Sequence, residues 1–299
     1  MNYIEKIDDF FKKKSELPKM VIIYGPTASG KTAMSINIAK KLNSEIISTD
    51  SRQIFRESNI GTAKITLEEM DGIKHHMVDI CNLDEEFSVG AYKKQSEKII
   101  ENLYKQNKIP ILAGGTGLYI DSIIYDFEIP EILADKNLRE KLEQEAKEFG
   151  VDFVYEQLKK IDPENYEKVH KNNVQYVIRA IEVKILSGKS KYENPVKKKL
   201  KYDVLFLTPY TGDREKLYSR IDLRVDLMFE KGLEEEIQSL IRKGYSRKSF
   251  GLKSIGYTEY FDYLEGVYSY EEMIEKIKQH SRNYAKRQLT WFRKYENTN

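Results

Sequence analysis

The first uninterrupted apolar run, Met20-Val-Ile-Ile-Tyr24, is followed by apolar residues at every fourth position, Met34, Ile38 and Leu42. A short continuous run reads as a buried strand, and the i, i+4, i+8 spacing as the face of a helix packed on it. Ahead of them, Ile4, Ile7, Phe10 and Phe11 stand at helical spacing and Pro18 ends the pattern, which predicts a short packing helix. Glu45-Ile-Ile-Ser-Thr49 predicts a second strand, His76-Met-Val-Asp-Ile80 a third and Ile109-Pro-Ile-Leu-Ala113 a fourth. Thr66-Leu-Glu-Glu69 has the spacing of a capping box, and a helix is expected from about Ser88 to Lys108 with Ser88 as N-cap.

Between Phe127 and Leu200 the texture changes. Lys, Glu and Leu dominate, and the pairs Leu138/Leu142, Val154/Leu158 and Val177/Ile181 with Ile185 keep a helical period. This predicts three or four helices inserted as a subdomain, residues 127–200, into a core made of 1–126 and 201–299. The last inserted helix is expected over Asn173–Ser187 with Gly188 as its stop, and it carries Gln175 and Arg179 one turn apart. A lysine tether follows (Lys189, Lys191, Lys197, Lys198, Lys199, Lys201). Asp203-Val-Leu-Phe-Leu207 then returns the chain to the sheet as a fifth strand. Helices are expected over 213–230, 233–243, 253–264 and 270–293, the last opened by a Ser269-x-x-Glu272 capping box.

The first strand and its helix are joined by Gly25-Pro-Thr-Ala-Ser-Gly-Lys-Thr32, a full match to G-x-x-x-x-G-K-[ST]. Gly25 and Gly30 let the backbone curl so that the N–H groups of Thr27, Ala28 and Ser29 point at an anion. Lys31 adds charge, and the Thr32 hydroxyl is a candidate Mg²⁺ ligand. Pro26 shapes the loop without donating. The fold class expected is therefore α/β, a P-loop NTPase-like parallel sheet flanked by helices, with an inserted all-helical subdomain. The loop itself reads as nucleotide- or ATP-binding, or as the holder of another diphosphate. The second strand ends in Asp50-Ser-Arg-Gln53, at the edge where open α/β sheets bind ligands. The fourth ends in Gly114-Gly-Thr-Gly117, whose three glycines are read as leaving a ligand's approach unhindered. A P-loop hydrolase or motor places a Mg²⁺-binding acid where this strand has glycines. Two readings remain for Asp50 beside the loop: the base of a small-molecule kinase, or that of an enzyme whose leaving group is pyrophosphate.

Composition narrows the setting more than the chemistry. With 40% hydrophobic residues in 299, the chain can bury a large core, and 50 Lys+Arg against 48 Asp+Glu leave too little net charge to announce a nucleic-acid binder. Cys81 is alone, Met1 to Lys19 is charged, and no run reaches about 18 apolar residues, so a soluble protein of the reducing cytoplasm, without a membrane span, is expected. His75, His76, His170 and His280 lack zinc spacing, and His75-His76 read as strand-end residues. Local charge is more telling. Lys276 to Tyr295 holds seven Lys/Arg and no acid, with Tyr284, Trp291, Phe292 and Tyr295 interleaved. That pattern fits a nucleic-acid face or an amphipathic helix with core aromatics and a solvated basic side.

Taken together, the phosphate loop, Ser48-Thr-Asp-Ser-Arg-Gln53, Asn59-Ile-Gly-Thr-Ala-Lys64, Gly114-Gly-Thr116, Gly256-Tyr257 and Tyr284-Ala-Lys-Arg-Gln-Leu-Thr-Trp-Phe-Arg293 resemble the tRNA dimethylallyltransferases of the bacterial type. The resemblance spans almost the whole chain. It implies transfer of a dimethylallyl group from dimethylallyl diphosphate to the exocyclic amine of the adenine 3′ to the anticodon, with Mg²⁺. By the same resemblance the loop, Gly25 to Thr32, holds the prenyl diphosphate. Asp50 is the base, and Lys31, Thr116 and Arg224 complete the catalytic set, with Arg220 one turn from Arg224. Asp50, Ser51, Arg52, Gln53, Thr116, Gln175 and Arg179 would surround an extruded adenine, while Lys286, Arg287 and the tether would meet phosphates. The expected partners are the tRNA anticodon stem-loop and dimethylallyl diphosphate, and the expected state is a monomer. The zinc-finger extension of some eukaryotic relatives is not expected here, and the insert is lysine-rich. The alternatives are a prenyltransferase for free adenine nucleotides and a P-loop small-molecule kinase.

Overall fold

The computed structural model describes residues 3–125, 135–190 and 199–296. The chain divides into two compact units, Met1–Tyr125 with Leu200–Asn299, and Asp126–Lys199. In the first, strands β1 (Lys19–Tyr24), β2 (Ile46–Ser48), β3 (His75–His76), β4 (Ile111–Gly114) and β5 (Asp203–Leu207) form one parallel sheet in the order β3-β2-β4-β1-β5. Around it lie α1 (Tyr3–Lys12), α2 (Lys31–Leu42), the single turn α3 (Leu67–Met70), α4 (Val89–Lys105) and α5 (Gly117–Ile124). The second unit holds α6 (Lys136–Phe149), α7 (Val151–Ile161) and α8 (Val174–Ser187). The first unit resumes with α9 (Arg214–Glu230), α10 (Leu233–Arg242), α11 (Tyr257–Leu264) and α12 (Tyr270–Glu296).

β1 is an inner strand between β4 and β5, and both faces of it are covered, which is why its sequence is apolar without alternation. Val21 and Ile23 pack with Ile36, Ile38 and Ala39 of α2 and with Ile7 and Phe10 of α1. Tyr24 projects to the other face, against Phe206, Phe292 and Tyr295. Each such buried aliphatic side chain is worth roughly 1.5–3 kcal/mol. The helices begin where the sequence says: Thr66 and Glu69 form the capping box of α3, Ser88 accepts from Ala91 N–H at the start of α4, and Ser269 and Glu272 bond reciprocally ahead of α12. Helix α8 stops at Gly188 in the left-handed conformation.

Two elements depart from the sequence reading. The third strand is only His75–His76, because Met77 and Asp79 have φ of 62° and 55° and cannot continue it. The residues that follow turn to the segment after β2 instead: Asp79 N–H donates to Gln53 O and Ile80 N–H to Ile54 O, buttressing the turn that carries Asp50. The helix expected from Lys253 starts at Tyr257, since Gly256 has φ 98°, and Lys253–Ile255 form an irregular stretch before it.

In the helical unit, Leu142, Val154, Leu158, Val177 and Ile181 form the core. Buried Glu182 binds the guanidinium groups of Arg139 and Arg179 and the N–H of Asp135. Lys191, Lys197 and Lys198 of the tether lie outside the described residues. Among the described residues no helix is long and apolar enough to cross a membrane.

Candidate active site

The register brings the motifs together. Pairing of Tyr24 with Gly114 sets the start of the phosphate loop beside the glycine turn, and pairing of Ser48 with Ala113 sets the Asp50 turn on the other side of it. A cavity of about 730 Å³ opens at this carboxyl edge, within the range of about 300–1,000 Å³ usual for small-molecule sites. The loop residues Thr27, Ala28, Ser29, Gly30, Lys31 and Thr32 line it, as do Asp50, Ser51, Arg52 and Gln53, loop residues Gly61–Ala63, and Arg224, Tyr284, Arg287 and Gln288 from α9 and α12.

Within the phosphate loop, Gly25 and Gly30 have φ of 148° and 97°. Gly25 and Pro26, at the start of the loop, are buried, and the Pro26 carbonyl accepts from Lys31 Nζ at 2.6 Å. The Ser29 hydroxyl is buried against Gly25 and has no hydrogen-bond partner among the described residues. Burial pushes the Lys31 ammonium down to about 8, with Asp50 opposing the shift and Arg224 adding to it. Burial also lowers Arg224, against the charges of Asp50 and Glu69. Two cations and one carboxylate thus face a partly desolvated space, an arrangement that a polyanion would relieve.

Asp50 closes an Asx turn: its Oδ1 accepts from the N–H of Arg52 (2.8 Å) and of Gln53 (3.4 Å). Both bonds fall on one oxygen. Thr116 stands at the N-cap of α5 but does not cap it. Its hydroxyl accepts from Ser51 N–H at 3.0 Å and meets the Ser51 hydroxyl at 3.2 Å, tying the two strand ends across the site. Gln53 donates to Ala63 O at 3.0 Å and Arg52 to Phe250 O at 3.4 Å, so both are partly engaged inside the protein.

Tyr284 and Gln288 were not picked out as site residues from the sequence. Burial first and then the Asp50 charge raise the Tyr284 hydroxyl to about 12, with Thr116 opposing the shift. Gln288 joins the two strand ends: its Oε1 accepts from Thr27 N–H and its Nε2 donates to Gly115 O, each at 2.9 Å. The Thr27 amide is therefore already engaged. The signal lay in the spacing Ile277, Ser281, Tyr284, Gln288, one face of α12, all four at the cavity.

The glycine turn serves packing as well as access: Gly114 and Gly115 line the cavity, and all three glycines are closely packed. A Cβ on Gly114 would lie 2.4 Å from Thr49 Oγ1, on Gly115 2.2 Å from Gln288 Nε2, and on Gly117 2.1 Å from Trp291 Cδ1. The basic helix is likewise largely structural. Lys278, Arg282 and Lys294 pair with Asp226, Asp222 and Asp121, while Phe292 and Tyr295 are buried against the sheet. Lys286 and Arg287 are exposed, and the Arg287 guanidinium stands 5.8 Å from the Tyr284 ring centre. Gln175 and Arg179 belong to the helical unit, where Gln175 bonds Glu143 at 3.0 Å and Arg179 bonds Glu182.

Residues 53–295 match the family model described as IPP transferase. The chain belongs to this family, the tRNA dimethylallyltransferases. The tRNA dimethylallyltransferase of Alkaliphilus oremlandii is 50% identical over 281 residues, covering 93% of this chain and 90% of the relative, and that of Acetivibrio thermocellus is 48% identical over 283 residues, covering 94% and 90%. These alignments reach beyond the family model and span nearly the full chain. Among solved structures, the tRNA isopentenylpyrophosphate transferase of Bacillus halodurans superposes with a TM-score of 0.66 at 43% identity, covering 92% of this chain and 86% of that one. A eukaryotic dimethylallyltransferase acting on tRNA superposes with a TM-score of 0.78 at 32% identity, covering 92% and 70%. Family membership decides between the kinase and prenyltransferase readings in favour of the second. The parallel α/β sheet is the fold expected.

Proposed function

We propose that the cavity holds dimethylallyl diphosphate on the phosphate loop and presents its allylic carbon to the exocyclic amine of the adenine 3′ to the anticodon of a tRNA. One observation carries the reading: the carboxylate of Asp50 and the cations Lys31 and Arg224 face the same cavity, with no strand-end acid on β4 of the kind an ATP-driven machine uses. In the transfer, the bond from the allylic carbon to the diphosphate oxygen breaks and a carbon–nitrogen bond to the amine forms. The amine proton passes to Asp50, and pyrophosphate leaves. Adenine's amine is a poor nucleophile because its lone pair is delocalised into the ring, and a placed base supplies about 10²–10⁴ in rate. Asp50 Oδ1 is held by two backbone N–H groups, which fixes the carboxylate while its second oxygen receives the proton. Lys31, Arg224 and the loop amides stabilise the charge that gathers on the leaving pyrophosphate.

Mg²⁺ fits the donors present. The Thr32 hydroxyl lines the cavity, and among the described residues no trio of His, Cys, Asp or Glu is grouped to cage a metal, the donor set suited to an ion held chiefly by phosphate oxygens and water. When bound there, Mg²⁺ supplies charge neutralisation to the diphosphate. A base inside a stacked loop has to be extruded before it can react, and Ser51, Arg52, Gln53, Thr116 and Tyr284 offer the polar edge and aromatic face to receive it. Lys286 and Arg287 serve phosphates, and the helical unit, with Gln175 and Arg179, contributes its own contacts to the anticodon stem-loop. We assign the activity to the cytoplasm, where undermodified tRNA is found.

The test is direct. Incubation of the protein with undermodified tRNA, dimethylallyl diphosphate and Mg²⁺, without ATP, should yield prenylated adenosine in the nuclease digest by mass spectrometry. A requirement for ATP, or prenylation of free adenine nucleotides in preference to tRNA, would contradict the proposal.

A further inference from the structure

Glu236 does not line the cavity, yet it holds the loop on which two cavity residues rest. It lies on α10, and its carboxylate sits in a nest of successive backbone N–H groups. Oε2 accepts from Asn59 (2.9 Å) and Ile60 (2.8 Å), and Oε1 from Gly61 (3.2 Å) and from the Tyr257 hydroxyl (2.6 Å). Hydrogen bonds to a charged acceptor are about twice as strong as neutral ones. A Cβ on Gly61 would come within 2.5 Å of the buried Tyr257 ring, so glycine is what lets the loop settle this close. Lys64 secures the other end of the loop, donating to Phe55 O (2.6 Å) and to Asn59 Oδ1 (2.9 Å). Between these anchors Gly61, Thr62 and Ala63 line the cavity. Thr62 O accepts from Arg224 Nη2 at 3.4 Å, and Ala63 O from Gln53 Nε2 at 3.0 Å.

We propose that Glu236 is a positioning residue for the diphosphate site, acting through loop 59–63 on Arg224. The proposal rests on the reading of the cavity as a diphosphate site. Four donors converge on two carboxylate oxygens, and a glutamine at this position would turn its own NH₂ toward some of them. The loop then leaves the nest, Thr62 O shifts, and the Arg224 guanidinium loses the support that holds it partly buried beside Lys31.

The measurement is calorimetric binding of inorganic pyrophosphate with Mg²⁺, which needs no turnover, to the full chain, E236Q, R224Q and the double variant. E236Q should weaken binding about tenfold in the wild-type background and less than about twofold in the R224Q background, because contacting residues in one network are non-additive. Tyr257→Phe keeps the ring on Gly61 and removes one of the four donors, so it should weaken binding in the same direction by less. Thermal unfolding of each variant separates misfolding from mispositioning, since a merely structural loss would fall equally on both backgrounds. Equal losses with and without Arg224, or unchanged binding by E236Q, would overturn the proposal. Failure of the unsubstituted chain to bind pyrophosphate would contradict the diphosphate reading itself, and the proposal with it.

Discussion

Lys31 is the residue whose ionisation and task are most tightly linked. Its pKa is lowered to about 8 by burial first, so the ammonium that a diphosphate needs is lost from the free protein above that pH. A bound diphosphate favours the charged form. Pyrophosphate affinity should therefore hold steady below about pH 8 and fall above it, with proton uptake on binding near pH 9, checked by calorimetry in two buffers of different ionisation enthalpy. A flat affinity to about pH 9.5 would contradict this. In the unliganded protein the same lowered pKa costs stability while Lys31 is charged, a cost relieved as pH rises from about 8 towards the ordinary lysine value. At this scale the sequence was informative where a motif is contiguous: the glycines, Lys31 and Thr32 specify one another within eight positions. Tyr284 and Gln288 were less legible because their role depends on how α12 is rotated against a turn some 170 positions earlier, as the bond from Gln288 to Gly115 shows.

Among elements, the turn after β4 shows how a pattern can carry a second cause. Glycines at a strand end suggested open access, and Gly114 and Gly115 do line the cavity, but Gly114, Gly115 and Gly117 also admit Thr49, Gln288 and Trp291. Gly117→Ala sets two effects against each other. As the first residue of α5, alanine gains up to about 1 kcal/mol of helix propensity, while its Cβ would meet the Trp291 ring at 2.1 Å, and overpacking costs about 1–3 kcal/mol. Net destabilisation in urea denaturation is expected, and a variant as stable as the wild type would show that α12 yields. The third strand failed for a related reason. His76 to Ile80 has the Met, Val and Ile content of a short strand, but backbone pairing with Gln53 and Ile54 outweighed it, and positive φ at Met77 and Asp79 is invisible in composition. Strand β5 and helix α8, set by period and a glycine stop alone, needed no such information.

For the whole molecule, net charge of +2 conceals where charge is free. Of the basic residues on α12, Lys278, Arg282 and Lys294 are held by Asp226, Asp222 and Asp121, acids from distant positions that a local count could not pair with them. Lys286 and Arg287 remain exposed. Lys286→Ala should accordingly flatten the slope of log K for an anticodon stem-loop against log salt by somewhat under about one unit, with little dependence on loop sequence. An unchanged slope would place the phosphate contacts elsewhere. The chain divides at Tyr125/Asp126 and Lys199/Leu200, and the change of texture expected at Phe127 and Leu200 is one of composition as well as of period.

The central claim is that Asp50, beside a phosphate loop that holds a prenyl diphosphate, takes the proton from adenine's amine. The measurement closest to it is the single-turnover rate of dimethylallyl transfer to an anticodon stem-loop by the wild type and by Asp50→Asn, with binding of RNA and of pyrophosphate measured alongside. Asn keeps the side chain's shape and an oxygen for the Arg52 and Gln53 N–H groups while removing the basicity. The account predicts a rate loss of about 10² or more with both affinities largely kept. A near-normal rate, or a loss that merely tracks weakened binding, would contradict it.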